Sequence, residues 1–220
     1  MMGLTAEQLR VSLDALAQQE PGFAAGLARH GYPDPRIRER GHVTMLRTIV
    51  GQQVSVASAA AIWRRLEEAV GADIVPAALA AASDEELRGV GLSRQKMGYI
   101  RSLGELVASG EVDFAQLPAD DEEAIALLTK IKGIGRWSAE IYLLFAEGRT
   151  DIWPAGDLVV QIEVGELLGH EARPSEKRVR ELAEAWRPHR GAAAIFAWHH
   201  YGARLAVARA TGKGGEKLPL

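Results

Sequence analysis

Apolar residues recur at spacings of three and four along almost the whole chain, and no segment of useful length alternates apolar with polar residues. That period builds amphipathic helices and offers nothing for strand pairing, so an all-α fold is predicted. Thr5-Ala6-Glu7-Gln8 reads as a capping box that opens a helix with Leu9, Leu13 and Leu16 on one stripe. A second box spans Ser83 to Glu86, and Ser93 caps a helix carrying Ile100, Leu103 and Leu106. After the break at Pro33-Asp34-Pro35, one long apolar run starts at Val43. It takes in Met45, Leu46, Ile49 and Val50, then Val54, Ala57, Ala60 and Ala61. The acidic stretch Asp120-Asp121-Glu122-Glu123 suits the positive end of a helix dipole. Further helices are expected over 137–145, 158–168 and the Ala-rich segment 191–207, with 148–157 as loop and 208–220 as a flexible tail.

A chain of 220 residues can bury a sizeable core as one domain or as two interleaved subdomains, and neither an internal repeat nor a long linker divides it. Cysteine is absent, which excludes a disulfide framework, a zinc–thiolate site and an iron–sulfur cluster together. No signal peptide or membrane span is expected, because charges interrupt the first twenty residues and all apolar runs are short. The net charge of −3 does not decide the partner, since duplex binding needs only a local cationic surface.

The informative stretch is Leu128-Thr129-Lys130-Ile131-Lys132-Gly133-Ile134-Gly135-Arg136-Trp137-Ser138-Ala139-Glu140. A Gly-apolar-Gly turn between helices allows close backbone approach, and the N-terminal amides of the second helix can hold a phosphate without a lysine. Alone, this turn reads as a helix C-cap followed by a tight turn. It is accompanied by Trp153-Pro154-Ala155-Gly156-Asp157, with the aspartate 20 positions after Trp137. Val50-Gly51-Gln52-Gln53-Val54-Ser55-Val56-Ala57, Arg136-Trp137-Ser138-Ala139, and Trp186-Arg187-Pro188-His189-Arg190 with Trp198 complete the set. Together these segments resemble the helix-hairpin-helix-Gly/Pro-Asp superfamily of DNA glycosylases, and within it the 3-methyladenine DNA glycosylase II family of alkylation repair.

The resemblance covers about residues 40–205. It implies one glycosylase unit of two interleaved helical subdomains with the active site in the cleft between them. Residues 50–150, with the hairpin at 128–140, would form one subdomain, and 1–49 with 151–207 the other. It assigns catalysis to Asp157, whose carboxylate would stabilise the oxocarbenium-like sugar and orient water. An aspartate there also suits the N-cap of the following helix, and one residue can do both. Trp137, Trp198, Ile141 and Leu158 would line the base pocket, Ile141 and Leu158 standing where some relatives carry aromatics. Gly133, Ile134, Gly135 and Ser138 would contact DNA at the hairpin. Gln52 and Gln53 are the candidates to plug the gap left by the flipped base, Gln53 lying where some relatives place leucine.

Relatives that also cleave the strand carry a lysine two residues after the second hairpin glycine, where this chain has Trp137. The resemblance therefore implies a monofunctional glycosylase acting on double-stranded DNA that contains alkylated bases. It would be a monomer without a required cofactor, with a Na or K ion optionally held by the carbonyls of Thr129, Ile131 and Gly133. Its setting would be the bacterial cytoplasm, at the nucleoid, or a eukaryotic nucleus. Arg36, Arg38, Arg40, Lys177, Arg178, Arg180 and Arg190 are further candidates for phosphate contacts. Three alternatives compete: a non-enzymatic helix-hairpin-helix module, a branch acting on oxidised or mismatched bases, and a helical scaffold with no nucleic-acid role.

Overall fold

A computed structural model describes residues 3–211. Among these residues there are twelve α-helices and no strand. The helices are α1 (Ala6–Gln19), α2 (Pro21–His30), α3 (His42–Gly51), α4 (Val56–Val70), α5 (Pro76–Ala81), α6 (Asp84–Gly89), α7 (Arg94–Ala108), α8 (Asp121–Leu128), α9 (Arg136–Tyr142), α10 (Leu158–Leu167), α11 (Glu176–Leu182) and α12 (Arg190–Ala210). A π-helical turn, Leu143–Glu147, continues α9, and a 3-10 turn, Ala183–Trp186, follows α11. The helix α12 extends through 208–210, where a tail was expected, and the rest of that tail lies outside the described residues from 212 onward. No helix of the described residues is long and apolar enough to cross a membrane.

The chain groups into two compact units, one of residues 3–37 and 148–211, the other Arg38–Glu147. In the first, the Thr5 capping box is formed and Leu9, Leu13 and Leu16 of α1 are buried. Burying each leucine contributes about 2 kcal/mol, so the three together outweigh the roughly 1 kcal/mol of the cap. Phe23 of α2 stands edge-on to Trp186 with ring centres 5.2 Å apart, and Trp153 meets the same indole at 5.5 Å. Glu163 of α10 is fully buried, a position an acid holds only when paired. It accepts from Nδ1 of His200 at 2.5 Å and from Nη1 of Arg204 at 2.8 Å, both on α12.

In the second unit α7 packs against α5 and α3. Gly104 permits the α5 crossing, because a Cβ there would lie 2.6 Å from the Ala80 nitrogen. The apolar run expected to be continuous from Val43 to Ala61 is broken. Its first half is α3, with Met45, Leu46, Ile49 and Val50 buried. The chain then turns at Gln53, whose φ is +54°, and restarts as α4, capped by the Ser55 hydroxyl accepting from the Ser58 amide. Val54, Ala57 and Ala60 are exposed, and the α4 core is Ile62, Trp63 and Leu66.

Candidate active site

The hairpin joins α8 to α9. Asp120 caps α8, its Oδ1 accepting from the Glu123 amide at 2.9 Å. Arg136 opens α9 and ties the two helices together through Glu122 of α8 and buried Glu140 of α9. The two turn glycines do different work. Gly133 has φ +83°, and a Cβ on it would fall 2.2 Å from Cδ2 of the Tyr99 ring. Gly135 lies at φ −90°, ψ 174°, a conformation open to any residue, and a Cβ there would meet nothing within 4 Å. Only the first glycine is demanded by the fold. The second caps α9 without a side chain, at the positive end of the helix dipole.

Within the same unit, Trp137, Ser138, Ile141, Gln52 and Gln53 line one open cavity of about 820 Å³ together with Arg38, Glu39, Thr44, Arg47, Thr48 and Gly51. Trp137 is 47% exposed, which separates it from the buried indoles of Trp63, Trp153 and Trp186. Ile141, in the same lining, is buried. Ile134 is buried beside the turn, so its side chain faces the core and not solvent. The two glutamines diverge. Gln52 turns inward and donates from Nε2 to the Gly133 carbonyl at 2.9 Å, whereas Gln53 is exposed in its left-handed conformation.

Asp157, Leu158 and Trp198 belong to the other unit. Asp157 is the N-cap of α10, Oδ1 accepting from the Val160 amide at 3.0 Å. The loop before it is fixed from both sides. Trp153 is buried and donates from Nε1 to the Val179 carbonyl, and Gln161 donates from Nε2 to the Ala155 carbonyl at 2.9 Å. The Asp157 amide closes the turn on the Pro154 carbonyl at 2.9 Å. Leu158 is half-buried at the first turn of α10, and half-buried Trp198 carries the Arg36 guanidinium over its ring at 5.6 Å.

Several arginines read as phosphate contacts are already held by carboxylates: Arg40 by Glu147, Arg178 by Glu181, Arg180 by Glu176, and Arg190 by Asp151 and Glu184. Arg38 instead lies over the Phe145 ring and lines the cavity. Sequence reasoning missed Arg47, whose guanidinium rests 3.8 Å from the centre of the Trp63 ring at the cavity wall. It also missed Lys96, Tyr99 and Gln161, and it gave Trp153 no role beyond its place in the motif. Arg47 falls on the polar face of α3, where any helix carries arginine, so no local pattern singles it out. Among the described residues no three His, Asp or Glu side chains are grouped to hold a metal. Of the hairpin carbonyls, those of Ile131 and Gly133 already accept hydrogen bonds, from the Ile134 amide and from Gln52.

A family model described as HhH-GPD superfamily base excision DNA repair protein matches residues 46–188, which takes in the cavity residues from Arg47 onward, the hairpin and Asp157. The chain belongs to this superfamily. Within it the chain is placed with the DNA-3-methyladenine glycosylases. DNA-3-methyladenine glycosylase 1 of Schizosaccharomyces pombe is 31% identical over 158 residues, covering 70% of this chain and 69% of the relative. Against two further curated relatives the chain spans just over half of their length. The crystal structure of a DNA-3-methyladenine glycosidase from Bacillus halodurans superposes with a TM-score of 0.78 at 31% identity, covering 89% of this chain and 91% of that one. The S. pombe 3-methyladenine DNA glycosylase in complex with abasic DNA superposes with a TM-score of 0.70 at 27% identity, covering 85% and 94%. The all-α helix-hairpin-helix glycosylase fold expected from the sequence is the fold observed.

Proposed function

We propose that this HhH-GPD protein is a monofunctional DNA glycosylase. It hydrolyses the N-glycosidic bond of alkylated purines such as 3-methyladenine and 7-methylguanine in duplex DNA and leaves an abasic site. The observation that carries this reading is the carboxylate of Asp157, fixed as the α10 cap on a loop pinned by Trp153 and Gln161. A rigid anion of this kind is matched to the positive charge that grows on the sugar as the bond breaks. Water adds to C1′, the bonding electron pair leaves with the base, and Asp157 orients the water and takes its proton. An alkylated purine that is already cationic departs without a general acid, so extrusion of the base and stabilisation of the sugar cation are the protein's main contributions.

The exposed face of Trp137 suits a cationic purine, because an electron-rich indole attracts a positive ring in a partly desolvated cavity. Ile141 adds an apolar surface to the same cavity in this reading. Gln53, exposed and left-handed, fills the space the base vacates. The hairpin holds a phosphate through backbone amides around Gly135 and through Ser138. A Na or K ion on the carbonyls of Thr129, Ile131 and Gly133 would share oxygens already bonded at two of the three positions, and no step depends on it. The protein acts as a monomer wherever the cell keeps its DNA.

No lysine stands at the Schiff-base position. Lys130 is paired with Glu111, and the amine of Lys96 donates to the Val50 carbonyl and does not line the cavity. The test is incubation with methylated duplex DNA. Free methylated purine should appear, and the DNA should break only after alkali. Borohydride should trap no covalent adduct. Strand breaks without alkali, or a trapped adduct, would contradict the monofunctional reading, and binding without base release would return the chain to a non-enzymatic helix-hairpin-helix module.

A further inference from the structure

The segment between α3 and α4 carries a conformation that L-residues avoid. Gln53 has φ +54°, and a non-glycine residue stays there only when its surroundings fix it. Two side chains supply that constraint. Lys96, in the first turn of α7, sends Nζ to the Val50 carbonyl at 2.8 Å and so satisfies an acceptor at the C-terminal end of α3. Gln52, the next residue but one, sends Nε2 to the Gly133 carbonyl at 2.9 Å. Gly133 is itself pressed against Tyr99 on α7, and the Lys132 amide donates to Ser102 Oγ on the same helix at 3.1 Å. On the far side, Ser55 fixes the start of α4. Gln53 and Val54 are left as a two-residue tip between pinned ends.

We infer that Lys96 and Gln52 are positioning residues for base extrusion, a two-point clamp that holds Gln53 in its left-handed conformation and locks the tip to the hairpin. The inference rests on the glycosylase reading for its purpose, though the clamp itself is a property of the free protein. Its consequence is mechanical: a phosphate seated at the hairpin sets the position of Gln53 through Gln52, without a flexible element between anchor and plug. Burial lowers the Lys96 pKa, and the carbonyl is the partner that keeps an ammonium in place there.

Lys96→Met and Gln52→Met remove one donor each while keeping an unbranched side chain of similar bulk. Lys96→Arg keeps a donor at that position. Two readouts are needed. The first is amide hydrogen exchange of the free protein over residues 50–56. The second is single-turnover release of 7-methylguanine from a fully paired duplex and from the same lesion in a bulge, where little unstacking is required. The clamp predicts faster exchange confined to the tip in both Met variants. It also predicts a loss of about tenfold on the paired substrate with less than about threefold on the bulge, since extrusion rather than chemistry is impaired. Lys96→Arg should recover most of the paired rate. Unchanged exchange in the folded variants overturns the clamp, as does an equal loss on both substrates. If Lys96→Met fails to fold, Gln52→Met on the half-buried loop decides alone. A wild-type protein that releases base from neither substrate would overturn the glycosylase reading, while the exchange result would still decide the clamp.

Discussion

The Tyr99 ring occupies the space that a Cβ on Gly133 would need, at 2.2 Å from its Cδ2, while the corresponding space at Gly135 is open. The two glycines of one hairpin therefore give separable variants. Gly133→Ala should lower Tm by several degrees, because it adds both a clash and an unfavourable φ. Gly135→Ala should leave Tm near that of the wild type and, if a phosphate seats there as proposed, weaken duplex affinity about tenfold, alike for all DNA sequences. Unaltered affinity in the folded Gly135→Ala protein would show that the turn is glycine for shape alone.

Asp157 caps α10, and one substitution separates that role from the catalytic one proposed for it. Asparagine caps helices as well as aspartate does, so Asp157→Asn should keep Tm and DNA binding. It should lose about a hundredfold or more in base release, the scale for removing a charge aimed at the transition state. Asp157→Ala should lose the same activity and a further ~1 kcal/mol of stability with the cap. Turnover of Asp157→Asn within a few-fold of wild type would remove this residue from catalysis.

Arg47 is stacked on Trp63 at the cavity wall, held in place before DNA arrives. If it meets a phosphate, Arg47→Ala should reduce the slope of log affinity against log salt by about 0.9. A variant that binds more weakly with an unchanged slope would mean that the guanidinium acts through packing on the indole.

His30 provides a pH test. Among the described residues its Nε2 is buried without a hydrogen-bond partner, and its pKa is lowered from 6.5, first by burial and then by repulsion from His200, Arg29, His199 and Arg204. The unfolded chain thus binds the proton more tightly, and this part of the stability is present above about pH 6.5 and lost as the pH falls below it. Between about pH 7.5 and about pH 5, His30→Gln should lose fewer degrees of Tm than the wild type. Equal losses would assign the acid sensitivity to other groups.

Much of this architecture is written locally. Thr5, Ser83, Ser93, Asp120 and Asp157 each cap the helix that their position announces, because an N-cap depends only on the next three residues. The break after Gly51 was illegible for the opposite reason. Val54 and Ala57 continue an apolar pattern, and nothing in the letters Gln-Gln signals the left-handed residue at Gln53 or the bond to the nearby Val50 carbonyl from Lys96, 46 positions after Val50. The same holds for Arg47 and Trp153, whose roles arise from tertiary contacts, and for Glu163, whose burial depends on partners on α12. Trp137 and Ile141, which the family resemblance assigns to the base pocket, share one cavity wall with Ser138 and both glutamines, which it assigns to DNA contact, but only tertiary contacts separate the glutamine that turns inward from the one that faces solvent.

The uneven distribution of indoles has a practical consequence. Trp63, Trp153 and Trp186 are buried and Trp198 is half-covered, so Trp137 is the indole most open to water. Its emission should lie to the red of the others and respond first when a nucleobase stacks on it. The protein thus carries an intrinsic optical reporter at the surface expected to meet the lesion. A titration with undamaged and methylated duplexes could follow the arrival of a base against Trp137 in real time, without any label being attached.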